Sequence, residues 1–209
     1  MRQQDLSNTP YEERDQMQTP DFVFWWISQQ YEFDIDLAAT RENRKVPHFL
    51  DKEADALNTN WGMNNLNKIG FCNPPYSMKE NACHPTKCTK KVCKTRGYHL
   101  TEDKPGLEAW FKKAYKDTIR GLTTVLLVHT PNGEDHYRDV FGKATRIIFI
   151  NGRISHVRPD GTPASGNQRG SCFIVFEPVD NKTIYRMKVE TRLESIDRDE
   201  MKRQYSKQF

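Results

Sequence analysis

The chain has 209 residues, 36% of them hydrophobic, with 11 phenylalanines, 8 tyrosines and 4 tryptophans spread along it. That length suits one domain with a sizeable core, and the recurring aromatics exclude wholesale disorder. The net charge is +4, yet Lys87, Lys90, Lys91, Lys94 and Arg96 fall between His84 and His99 with no acid among them, so this window carries +5 and the rest sums to −1: the basic character is a local patch.

The opening stretch, MRQQDLSNTPYEERDQ, lacks the apolar run of a signal peptide, and no eighteen consecutive apolar residues occur anywhere. The expectation is a cytoplasmic protein with no membrane partner, in which clustered thiols point to metal before disulfide. In TPDFVFWWISQQYEF, Thr19 is placed to cap a helix and Pro20 to open it, with Phe22, Trp25, Trp26 and Gln29 on one face. FDIDLAAT alternates apolar and acidic residues and predicts a short strand ending at Asp36. KIGFCN predicts a buried strand that must stop at Asn73, because Pro74 and Pro75 cannot continue a ladder.

GLEAWFKKAYKDTIRG predicts the clearest helix, with Leu107, Trp110, Phe111, Ala114, Tyr115 and Ile119 in one stripe and Gly121 ending it. TTVLLVHT, ATRIIFI and SCFIVFE predict three more strands, the last two joined without a helical pattern. The order implies an α/β sheet, mostly parallel, with an antiparallel hairpin at one edge. The charged segment from Arg186 predicts a surface helix or partial disorder.

Asn73 arrives at the carboxyl end of a strand, where open α/β sheets bind ligands. Its amide oxygen is an acceptor, the proline turn presents carbonyls without competing donors, and Tyr76 offers a flat ring. Such a set suits a planar aromatic amine: two acceptors for its hydrogens and a ring against its plane. A proline-rich turn without chemistry is the plainer reading.

The tetrapeptide NPPY at 73–76, with TPDFVFWWISQQYEFDIDLAAT, DALNTNW, FCNPPYS, AWFKKAY and IIFINGRISHV in that order, resembles the phage-type DNA adenine methyltransferases. The resemblance runs from about residue 19 to 177. It implies a Rossmann-like methyltransferase sheet with helices on both faces, S-adenosylmethionine as cofactor and double-stranded DNA as partner. It further implies that Asn73 and the Pro74 carbonyl, with Pro75 completing the turn, hold the adenine amine while Tyr76 stacks on a base flipped from the duplex. Asp36 and Ala38 would meet the cofactor's methionine end, Asp55 its adenine amine, and Thr19 and Pro20 would close over it. Alanines replace the glycines usual after the first strand, which leaves the ribose partner open: Glu42 is a candidate, but it reads more readily as a surface glutamate. The expected organisation is a flexible segment 1–18, a methyltransferase domain 19–182 with a basic, cysteine-rich insert at 78–105, and a charged tail 183–209.

In that insert, Cys83, Cys88 and Cys93 lie within eleven residues, with His99 or His84 as the fourth ligand, and His99 the better placed because His84 adjoins Cys83 and chelation by both is strained. The set predicts a structural zinc tying a loop that has too few apolar residues for a core of its own. Lys87, Lys90, Lys91, Lys94 and Arg96 would then face phosphates, with Arg153 as a further DNA contact beside Arg158 and Arg169. Cys72 and Cys172 read as core residues. Two rival readings stand: an NPPY-type enzyme for RNA or protein amides, and a non-enzymatic zinc-tied DNA-binding module.

Overall fold

The computed structural model describes residues 15–61, 68–133, 135–137, 140–164, 167, 169–178 and 191–209. Its centre is a six-stranded sheet of β1 (Ile35–Asp36), β2 (Ile69–Cys72), β3 (Thr123–His129), β4 (Arg146–Asn151), β5 (Ser171–Phe176) and β6 (Arg192–Asp197). The spatial order is β1-β2-β3-β5-β4-β6. The β1–β2, β2–β3 and β4–β6 pairs are parallel, whereas β5 runs antiparallel to both β3 and β4.

The unbroken apolar runs of β3 and β5 exist because both faces of the sheet are covered. Alternate residues of β3 go to opposite sides. Leu126 and Val128 pack with Trp110, Phe111 and Ala114 of α3 (Leu107–Thr118). Val125 and Leu127 pack with Val23 and Ile27 of α1 (Asp21–Ser28) and with Met201 of α4 (Arg198–Gln208). A short α2 (Lys91–Arg96) stands in the insert. Cys72 and Cys172 are fully buried, as expected of core thiols.

Several expectations need correction. The hairpin of β4 and β5 is present but is not at an edge, because β6 extends the sheet beyond β4. β6 alternates only between exposed and half-buried residues, so its sequence shows no strand signal and its order comes from the ladder. The expected surface helix is α4, with Trp25 against Tyr205 at 5.9 Å. Thr19 does not cap α1: Pro20 is the N-cap, and its carbonyl accepts from the amides of Val23 and Phe24. The buried stripe of α1 is Val23 and Ile27, which pack on the sheet, while Gln29 is exposed at the C-cap just beyond the helix. Ile119 ends α3 44% exposed rather than in its stripe. Most of the segment 1–18 lies outside the described residues.

Candidate active site

β2 delivers Asn73 to the carboxyl end of the parallel half of the sheet, beside β1, which delivers Asp36 one strand away. Between them opens a cleft of about 290 Å³, including solvent at its mouth, whose lining includes Asp15, Thr19, Asp36, Ala38, Lys45 and Asn73. Thr19, Asp36 and Ala38 therefore meet Asn73 as anticipated. Pro20 is buried at the helix start behind them. Asp55 is exposed in a turn at φ 45°, its carboxylate accepting from Asn58 Nδ2 at 2.8 Å, and it does not line the cleft. Glu42 is exposed too.

Asp36 is 2% exposed. Its oxygens accept from the amides of Lys45 at 3.0 Å and Ala38 at 3.4 Å. Burial outweighs these bonds and raises its pKa to about 6. A buried, half-satisfied carboxylate at the end of a strand is a place for a cationic ligand group.

Asn73 is fixed at both ends of its amide: Nδ2 donates to the Met17 carbonyl at 3.0 Å, and Oδ1 lies 2.8 Å from the Tyr76 hydroxyl. That hydroxyl is also 2.9 Å from the Leu127 carbonyl, so its one proton serves two acceptors. The Tyr76 ring packs on His129 at 4.3 Å and edge-on to His156 at 5.7 Å. Enclosure raises the phenol well above its ordinary 10.0, which keeps it a neutral donor.

His156 is 7% exposed, with the Gln18 backbone as the polar group that meets its ring. Burial lowers its pKa to about 4. Asp15, Met17, Gln18, Lys45 and His156 had no local signal in the sequence. The strip at 15–18, read as loose, is pinned by Gln18 pairing with Val157 and by Ser77 donating to Asp15 at 2.8 Å.

The insert gathers Cys83, Cys88, Cys93 and His99, whose ligand atoms all lie within 4.8 Å of one another. Cys83 Sγ is 3.6 Å from Cys93 Sγ and 3.4 Å from His99 Nδ1. Those match the edges of a tetrahedron with metal–sulfur bonds of about 2.3 Å and metal–nitrogen bonds of about 2.0 Å. His84 is outside the set and faces Thr86 at 2.9 Å. The Lys90 amide donates to Cys88 Sγ, and Arg96 lies 3.8 Å from Cys93 Sγ, donors that suit ligating thiolates.

Arg96 is not a free phosphate contact. Its guanidinium makes two bonds to Glu80, at 2.9 and 3.2 Å, and is 5% exposed. Lys90 reaches the Asn81 carbonyl, while Lys87, Lys91, Lys94 and Arg153 are exposed. Arg158 bonds Pro163 within its own turn.

A family model described as DNA N-6-adenine-methyltransferase (Dam) matches residues 6–206. A DNA N-6-adenine-methyltransferase of Haemophilus phage HP1 is 34% identical over 176 residues, 82% of this chain and 84% of that one. A protein of the same description from Escherichia phage T1 is 26% identical over 174 residues; the match takes in 81% of this chain but 65% of that relative's length. A type I restriction-modification methyltransferase subunit from Streptococcus thermophilus aligns in structure over 68% of this chain and 30% of its own, at 16% identity and a TM-score of 0.34. Among the described residues no helix is long and apolar enough to cross a membrane.

Proposed function

This chain belongs to the DNA N-6-adenine-methyltransferase family, and we propose that it transfers a methyl group from S-adenosylmethionine to the exocyclic amine of adenine in DNA. The observation that carries this reading is the Asn73–Tyr76 turn at the rim of the cleft that Asp36 lines. The cofactor supplies an electrophilic methyl group on a positive sulfur. The chain's own residues supply position and acceptors. Asp36 holds the cationic amino-acid end in the cleft, with Thr19, Pro20 and Ala38 closing around it. Asp55 is proposed for the cofactor's adenine amine on family resemblance alone.

The adenine amine is a poor nucleophile because its lone pair is delocalised into the ring. Asn73 Oδ1 and the Pro74 carbonyl accept its two hydrogens, which favours a pyramidal nitrogen and frees that lone pair. Tyr76 stacks on the extruded base. For this to happen the Tyr76 hydroxyl gives up Asn73 Oδ1. Orientation does most of the remaining work, and the product proton leaves to solvent without a dedicated base. Cys83, Cys88, Cys93 and His99 are proposed to hold one structural zinc, and the exposed Lys87, Lys91 and Lys94 to meet phosphates.

The test is methyl-labelled S-adenosylmethionine incubated with duplex DNA, RNA or protein, followed by nucleoside analysis. N6-methyladenine in DNA is expected. Label appearing only in RNA or protein overturns the substrate, and no transfer from protein that binds the cofactor overturns the activity.

A further inference from the structure

The cysteine cluster and the cofactor cleft are joined by one continuous set of contacts. The insert leaves and rejoins the sheet domain through a neck in which Glu80 and Lys104 form an antiparallel bridge, with amide-to-carbonyl bonds of 3.0 and 2.7 Å. The neck is tight: a Cβ on Gly106 would lie 2.5 Å from the Lys79 backbone nitrogen. On the insert side, the Glu80 carboxylate holds Arg96 and lies 3.8 Å from Cys93 Sγ. On the cleft side, Lys104 Nζ donates to Ser77 Oγ at 3.0 Å and forms an ion pair with Asp15. Ser77 follows Tyr76 directly and itself donates to Asp15, and Asp15 lines the cleft two residues before Met17, whose carbonyl holds Asn73.

We propose that the metal site of the insert shapes the cofactor cleft, with Lys104 as the positioning residue that links them. The inference rests on the proposed methyltransferase function. With a metal on Cys83, Cys88, Cys93 and His99, Glu80 is fixed beside Cys93 and its bridge partner Lys104 is held in register. Lys104 then clamps Asp15 and Ser77, which fixes the 15–18 strip over the cleft and the turn beside it. Without the metal the insert has few apolar residues to order it, Cys93 being its buried one. The segment carrying Lys104 loses its bridge partner's fixed position, and the strip loses its clamp. The insert is then a brace for cofactor binding as well as a carrier of lysines.

The experiment measures binding of S-adenosylhomocysteine by calorimetry to four samples: wild type and Lys104→Met, each zinc-loaded and chelated, with metal content measured on every sample. Lys104→Met avoids the ligands, so it is expected to keep one zinc per chain. Stripping zinc from wild type and substituting Lys104 in loaded protein are each expected to weaken binding about fivefold, an ordinary size for losing one partly exposed charged contact. Because both act through one clamp, chelating the variant is expected to cost less than about twofold more. Independent, multiplying losses would overturn the link, as would wild-type affinity in loaded Lys104→Met. Equal binding by wild type in both metal states overturns this inference and leaves the methyltransferase reading standing. A wild type that binds in neither state overturns both.

Discussion

The hydroxyl of Tyr76 sits 2.8 Å from Oδ1 of Asn73, the acceptor assigned to the substrate amine. The residue proposed to stack on the base thus bonds the acceptor proposed for its amine. Its ring and its hydroxyl have separable effects. Tyr76→Ala should lower single-turnover methyl transfer by about one to two decades, the cost of a lost base–aromatic stack, with little change in cofactor affinity. Tyr76→Phe keeps the ring and frees Asn73, so it should retain most of the rate. Full activity in the alanine variant would remove the stacking role.

Asn73→Ala should be more damaging than either. It deletes the acceptor on the reacting amine and leaves the Met17 carbonyl without the 3.0 Å bond from Nδ2. A fall in the maximal transfer rate larger than that of Tyr76→Ala is expected. Unchanged turnover would sink the catalytic assignment of the turn.

Cofactor binding should depend on pH through Asp36. Burial raises this acid to about 6, so its carboxylate forms mainly above that pH. A cationic ligand group needs the carboxylate. Affinity should therefore be level above pH 7 and fall below pH 6 by up to about tenfold per unit. Asp36→Asn should bind weakly with this dependence gone. Titration calorimetry at several pH values checks both, and a flat wild-type profile would contradict the role.

His156, whose pKa is shifted the other way, makes an acid-stability prediction. Its pKa is lowered from 6.5 to about 4, so between those values the unfolded chain binds a proton that the folded chain refuses. Stability should be full above pH 6.5 and decline as pH falls through the window towards 4, by an order of about 3 kcal/mol for the full shift. The difference in denaturant midpoint between wild type and His156→Phe should stay constant above pH 6.5, and wild type should lose stability relative to the variant as pH falls from 6.5 towards 4. Parallel pH curves would show that His156 contributes nothing.

The exposed lysines of the insert should act through salt. Replacing Lys87, Lys91 and Lys94 together with glutamine should weaken DNA binding without sequence preference and reduce the slope of log affinity against log salt by roughly 2 to 3. Arg96→Gln should disturb the insert instead, because its partner Glu80 lies 2.9 Å away. A salt slope unchanged in the triple variant would direct attention to Arg153.

The main elements were legible because local physics dictates them. A prolonged apolar run makes β3 or β5, a helical stripe makes α3, and prolines after Asn73 end β2. The Asn73–Tyr76 turn and the thiol set were legible for the same reason, each being carried by neighbours in the chain. β6 was not, because its side chains hardly alternate and only the β4 ladder orders them. The choice of His99 over His84 did carry a sequence signal, since adjacency to Cys83 strains chelation by both, and the fold gathers His99 with the thiols. In sequence Arg96 is one more cation of the basic window, whereas in the fold Glu80, sixteen residues earlier, engages it. The strip 15–18 is polar and unpatterned, and it becomes part of the cleft through Val157, Ser77 and Lys104, contacts distant in sequence. What repeats at short range the sequence determined by itself; which side chain meets which across distant segments was decided by tertiary packing, because such pairing carries no local periodicity.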